Sequence, residues 1–289
     1  MEVVRRAWAE EFLVDTLAYR AAQPVRTNIL GSVAVSVATK QRRYRETWWW
    51  LVRHRGEVVG AALRTAPHGL QLGPMSDDAA RMLAGEVAMH DDDFPWVMGS
   101  TETILAFLDA YRASGSPGST RRTLEGRSEY IYELGELSVP TVEGSWRVAT
   151  SADYPLAQKW FLAFLEFVDG PIEGAARYDD DALRQRLRAG ALSLWSVGGE
   201  PVSMAGHAVA VTTPAGRVVR IGPVFTPEGL RGRGFGGAVT AHLSAALVES
   251  GATVMLHTDA ANATSNSLYQ RLGFRRCDDV TSVRLVDRT

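Results

Sequence analysis

Cysteine is almost absent from this chain: Cys277 is the only one in 289 residues. That excludes an internal disulfide and a cysteine-rich zinc site, and it fits a reduced, cytoplasmic setting. Lysine is nearly as scarce. Lys40 and Lys159 are the only two, so arginine carries almost all the positive charge, and with abundant alanine and glycine this composition points to a bacterial source. No apolar run of about 18 residues occurs, so no membrane-spanning helix is predicted. Glu2, Glu10 and Glu11 stand where a secretory leader would be basic. The formal net charge of −2 implies no polyanionic partner, and neither nucleic acid nor a membrane is expected. No Walker-type G-x-x-x-x-G-K-[ST] run is present. His90-Asp91-Asp92-Asp93 reads as a solvated loop, and no other cluster has metal-ligand spacing, so no metal is expected.

What is present is enough chain for two domains with separate cores. In the second half, residues 154–168 carry Leu156, Trp160, Phe161, Phe164, Leu165 and Val168 at helical spacing, and 179–188 read as a charged helix. Strands are predicted at 192–197 and 201–211, joined at Gly198-Gly199, and at 218–225 after the Pro214-Ala215-Gly216 turn. Helix, strand, helix and a last strand at 281–286 follow. The first half repeats this order in worn form. A helix spans 12–21, strands span 48–53 and 58–64, and Leu70 to Met75 follows. Then come helices at 77–89 and 102–113 and strands at 96–98 and 129–134. Leu72-Gly73-Pro74-Met75 echoes Ile221-Gly222-Pro223-Val224. Trp48-Trp49-Trp50 reads as a strand covered on both faces, or else as the aromatic wall of a pocket. The join lies in residues 138–144, giving domains 1–138 and 145–289.

The most informative run is Arg231-Gly232-Arg233-Gly234-Phe235-Gly236-Gly237, between a strand and an apolar helix with Val239, Leu243 and Leu247 on one face. A glycine turn opening a helix leaves backbone N–H groups free at the positive end of the helix dipole, which suits a phosphate. The bland alternative is a tight turn that only starts a helix. Read as Arg-x-x-Gly-x-Gly, the run resembles the acyl-CoA site of the GNAT acetyltransferase superfamily. A second segment strengthens the resemblance: Asn262, Ser265, Tyr269 and Leu272-Gly273-Phe274 stand in the order of that family's segment after its fifth strand.

The resemblance implies a mixed α/β fold of two tandem GNAT-like domains, the N-terminal one degenerate. There Ser76-Asp77-Asp78-Ala79 replaces the glycine turn, and two aspartates at a helix start repel a pyrophosphate while suiting the dipole. The resemblance further implies acetyl-CoA as co-substrate, held by Arg231 to Gly237, with Asn262 and Ser265 approaching its pantetheine arm and phosphates. Tyr269 would face the sulfur as the acid for the departing thiolate. Gly222-Pro223 inside a strand predicts a bulge that splays it from its neighbour. The freed N–H groups of Val224, Phe225 and Thr226 would then meet the thioester carbonyl and the pantetheine amides; a simple edge irregularity is the alternative.

The expected reaction is direct attack of an amine on the thioester in a ternary complex, of EC 2.3.1 type. The acceptor would be a small-molecule or peptide amine, and the protein a monomer or homodimer. Glu166 is the candidate base, with Asp169 and Glu173 nearby in sequence. His207 and His257 read as packed or surface residues on strands. Two other readings stay open: a non-catalytic acyl-CoA sensor or scaffold lacking a base, and a protein with both halves active.

Overall fold

The computed structural model describes residues 1–91, 93–170 and 178–287. Their strands are β1 (Glu2–Arg6), β2 (Thr47–His54), β3 (Glu57–Thr65), β4 (Leu70–Leu72), β5 (Trp96–Gly99) and β6 (Arg122–Leu134) in the first half. The second half has β7 (Ser145–Val148), β8 (Leu192–Val197), β9 (Glu200–His207), β10 (Val211–Thr213), β11 (Gly216–Phe225), β12 (Ala252–Asp259) and β13 (Phe274–Val286). All join one mixed sheet in the order β1-β2-β3-β4-β5-β13-β6-β12-β11-β9-β8-β7, with β10 paired to β11. The helices are α1 (Ala9–Asp15), α2 (Leu17–Ala22), α3 (Asn28–Ala38), α4 (Asp77–His90), α5 (Thr101–Ala113), α6 (Tyr154–Asp169), α7 (Asp180–Arg188), α8 (Phe235–Glu249) and α9 (Ala263–Arg271).

The centre of the sheet holds an exchange. β6, the last strand of the first half, pairs with β12 of the second; β13, the last strand of the second half, pairs with β5 of the first. β6 and β13 pair with each other from Phe274↔Leu134 to Val286↔Arg122. Each half thus completes its sheet with the other's terminal strand.

Among the described residues only β4 with β5 and β11 with β12 run parallel. The glycine run also satisfies G-x-G-x-x-G through Gly232, Gly234 and Gly237, but the antiparallel neighbours on both sides of β11 and β12 exclude a doubly wound dinucleotide sheet.

Helices cover both faces, which explains runs such as Trp49-Trp50-Leu51-Val52, all fully buried. Trp50 and Val52 pack under α4 and α5; Trp49 and Leu51 pack under α1 to α3, with Trp49 5.2 Å from the Phe12 ring. In the second half α8 and α9 cover one face, and α6 and α7 the other. The first half reaches across as well: Val25, in the turn between α2 and α3, packs with Ile131, Val218 and Met255.

Several boundaries differ from the sequence pattern. β6 starts at Arg122 rather than 129 and β13 at Phe274 rather than 281. Their extra residues, such as Glu125, Arg127, Arg275 and Asp279, are polar and show no alternation; cross-half pairing makes them strand. The predicted strand at 201–211 is two, β9 and β10. β1, α3 and β7 were not predicted: β1 and β7 are short, and α3 carries Val33, Val35 and Val37 at strand-like spacing with Gly31 and two serines. Asp91, expected in solvent, is buried against Arg64, whose Nη2 also donates to the Asp93 carbonyl at 2.7 Å; Asp92 lies outside the described residues.

Candidate acyl-CoA and acceptor site

β11 pairs with β12 only from Arg217↔Ala252 to Ile221↔Leu256. Both strands continue, β11 to Phe225 and β12 to Asp259, but no longer pair with each other. On its other side β11 shifts register against β9 between Ile221 and Val224, then pairs Val224↔Ala205 and Phe225↔Met204. The bulge expected at Gly222-Pro223 is there, and it turns β11 away from β12. A Cβ built on Gly222 meets nothing within 4 Å. Arg186 of α7 pins the bulge, its Nη1 donating to the carbonyls of Gly222 at 3.0 Å and His207 at 3.1 Å. The Ser203 hydroxyl donates to the Phe225 carbonyl at 3.1 Å and lies 2.8 Å from Thr226 Oγ1. The edge of residues 222–226 that faces β12 is left without ladder partners.

The glycine turn follows directly. Arg231, Gly232, Arg233 and Gly234 are all exposed. Gly234 caps α8 at φ +83°, a conformation costly for a side chain, and offers no side-chain cap. The first helical bond runs from Ala238 N to Gly234 O at 3.0 Å, so the N–H groups of Phe235, Gly236 and Gly237 precede it and point out of the helix start. No acidic residue lies in that first turn. Arg231 Nε donates to the Thr226 carbonyl at 3.0 Å, and its guanidinium lies 5.2 Å from the Phe167 ring. A Cβ on Gly236 would come within 3.2 Å of Thr226 Oγ1. Free donors, positive dipole, two arginines and close backbone approach fit a pyrophosphate.

α9 packs on α8 where a Cβ at Gly237 would come 2.9 Å from Leu268 Cδ1. Asn262 caps α9, its Oδ1 accepting from Ser265 N at 3.0 Å. Tyr269 is buried edge-on to Phe274 at 6.0 Å. Burial pushes its phenol up to about 12, and the hydroxyl has no hydrogen-bond partner among the described residues. It therefore keeps its proton at neutral pH and is free to donate it.

Glu166 is exposed on the last turn of α6 and makes no side-chain bond to the cleft. The side chain of Asp169 and the whole of Glu173 lie outside the described residues. The face of the sheet opposite α8 instead brings together residues the motifs did not mark. His257 on β12 has Nδ1 3.1 Å from Glu129 Oε2 on β6. Burial pushes Glu129 up, but the hydrogen bond from His257 and the charges of His257, Arg127 and Arg220 outweigh it and hold the carboxyl below its usual range. Arg127 Nε lies 3.5 Å from Asp259 Oδ2, and its Nη2 donates to the Val168 carbonyl at the end of α6. Glu129 and His257 are 128 residues apart and in different halves. No spacing rule pairs them; the only sequence signal was an ionisable residue in each of two buried strands. A separate cavity of about 440 Å³, lined by Glu136, Ser138, Gln270 and Arg275, lies where the join passes the end of α9, away from the splay and the glycine turn.

Residues 202–283 match the family model described as FR47-like protein. No curated protein matches by sequence. Among solved structures, a Drosophila protein superposes with a TM-score of 0.68 at 13% identity, over 99% of each chain. A GNAT-family acetyltransferase from Colwellia psychrerythraea gives 0.58 at 12% identity, over 100% of both chains. A tandem GNAT protein from the clavulanic acid biosynthesis pathway gives 0.56 at 12% identity, again over 100% of both chains. The chain has the tandem GNAT fold. Its splayed β11–β12 pair and glycine turn stand inside the segment that the family model matches. Among the described residues no group of three or more histidine, cysteine, aspartate or glutamate side chains is placed to hold a metal, and no helix is long and apolar enough to cross a membrane.

Proposed function

We propose that this tandem GNAT protein is an N-acetyltransferase, moving an acetyl group from acetyl-CoA to the amine of a small molecule or peptide at one site in its second half. The observation that carries the reading is the coincidence of an open splay at Gly222 with an uncapped, acid-free helix start at Gly234. N–H groups of 235–237 hold the pyrophosphate. The unpaired edge of Val224, Phe225 and Thr226 takes the pantetheine amides and donates to the thioester carbonyl, where negative charge develops during attack.

An alkylamine with a pKa of about 10.4 is neutral in only about one molecule in 2,500 at pH 7. A positioned base contributes roughly 10²- to 10⁴-fold. We assign that role to His257, with Glu129 as its positioning partner, in place of Glu166. With Nδ1–H donated to Glu129, Nε2 keeps its lone pair for the ammonium proton. Tyr269, protonated at neutral pH, supplies the proton for the leaving thiolate from the other side of the sheet.

A free-thiol release assay over an amine panel, with calorimetric titration of acetyl-CoA, tests this. Binding with amine-dependent thiol release is expected. Binding without release from any amine favours a sensor, and absence of binding would remove the acyl-CoA reading altogether.

A further inference from the structure

Three guanidinium groups feel one another's charge beside the proposed base, and among the described residues none of them forms an ion pair. Arg220 on β11 shares a sheet face with His257 on β12 and Glu129 on β6; Arg186 enters from α7; Arg42 acts on both from the loop after α3. The acids nearby are engaged: Glu129 holds His257, and Asp259 lies against Arg127. Among the described residues no carboxylate lies within 4.0 Å of Arg42, Arg186 or Arg220. The Arg220 Nη1 atom is fully buried and has no hydrogen-bond partner. Burial, reinforced by Arg42, pulls Arg220 down to about 10 and Arg186 to about 9, although the Glu129 charge partly offsets this at Arg220. Arg186 is accounted for by its bonds to Gly222 and His207. For Arg220, the Nη1 atom is left with no hydrogen-bond partner among the described residues. A guanidinium nitrogen buried without a partner is costly, and the fork geometry of the half-buried Arg220 side chain matches a carboxylate or a phosphate.

We propose that Arg220 is the acceptor's anion seat: the acceptor is an amine that also carries a carboxylate or phosphate, with that group on Arg220 and the nitrogen at His257. This rests on the acetyltransferase reading and names its substrate class. The ammonium gives one proton to His257. The amine nitrogen then bonds to the thioester carbonyl carbon, and the carbon–sulfur bond breaks. The nitrogen loses its second proton to water, and the thiolate takes the proton of Tyr269. Amide and free thiol result, and His257 and Tyr269 return to their starting states through solvent.

Binding is tested separately from turnover. With the glycine turn blocked by saturating coenzyme A, wild type is titrated with inorganic phosphate and with succinate. Saturable binding is expected for one or both, weakened at least tenfold in Arg220→Gln and retained in Arg220→Lys, with coenzyme A affinity unchanged in each. The stronger anion tells phosphate from carboxylate. No binding to wild type, or equal binding to Arg220→Gln, overturns the proposal. In a second arm, amines bearing a carboxylate or phosphate are compared with their amide-capped or dephosphorylated counterparts. Arg220→Gln is expected to raise KM for the anionic member at least tenfold more than for the neutral one. Equal use of both members by wild type overturns the anion seat while leaving the transferase intact; anion binding with no amine acetylated overturns the transferase reading instead. Thermal melts of both variants check that they fold.

Discussion

The two halves place the same Gly-Pro step at the same point and do opposite things with it. In the second half a Cβ on Gly222 meets empty space; in the first half a Cβ on Gly73 would come 2.4 Å from the Tyr19 hydroxyl and 2.7 Å from Leu30 Cδ1. Tyr19 closes that position by donating to the Pro74 carbonyl at 2.7 Å. β4 and β5 stay together at their ends, where a Cβ on Gly99 would lie 3.1 Å from Leu72 Cβ. The helix starts differ too. α4 is capped by the Ser76 hydroxyl, accepting from Ala79 N at 3.3 Å, with Asp77 and Asp78 in its first turn; α8 begins on bare Gly234. Capping spends the donors that an anion needs, and acids offset the dipole. At the matching position the first half is filled by core side chains, and its β6 carries Glu129 to His257 across the exchange.

Separating the halves breaks this comparison most severely. Residues 145–289 alone lose β6, the antiparallel partner of β12, and bare a long strand edge. No cooperative unfolding transition is expected for either half alone, whereas co-expressed halves should co-purify; a folded, monomeric second half in a circular dichroism melt would sink the shared-sheet account. Next is the base. His257→Gln should lower kcat/KM by about 10²- to 10⁴-fold, with Glu129→Gln, a change in the first half, falling in the same direction. Full activity in Glu129→Gln would free the site from the first half.

Tyr269→Phe keeps the ring and removes its proton. Turnover should drop roughly 10- to 1,000-fold with little change in acetyl-CoA affinity; equal loss of both would mark the hydroxyl as an anchor. Because burial raises this phenol to about 12, its contribution to stability is complete below pH 10, its ordinary value, and is lost as pH rises toward 12. Melts between those pH values should fall more steeply for wild type than for Tyr269→Phe. Gly234→Asp should weaken acetyl-CoA binding at least tenfold, about 1.4 kcal/mol, and wild type should bind one equivalent per chain. Two equivalent sites would contradict the filled cleft of the first half. The smallest effect is Ser76→Ala, which removes a cap worth about 1 kcal/mol: melting temperature should fall and acetyl-CoA affinity stay constant.

The glycine turn, its strand and helix, the cap at Asn262 and the bulge at Gly222 were readable because each depends on neighbours a few residues away: a φ value, a missing Cβ, a first-turn hydrogen bond. The acidic, Ser76-capped helix start that stands in the first half where the second has its glycine turn was readable for the same reason, from Asp77 and Asp78. What only the tertiary structure decided is whatever depends on pairing across the chain. The polar ends of β6 and β13 are strand because they pair with each other. Glu129 meets His257 because β6 lies against β12, and Arg220 comes to the same sheet face because β11 lies on the other side of β12. A strand's backbone pairs with any edge of suitable register, so local pattern specifies that a strand exists and leaves to the whole fold which strand it joins.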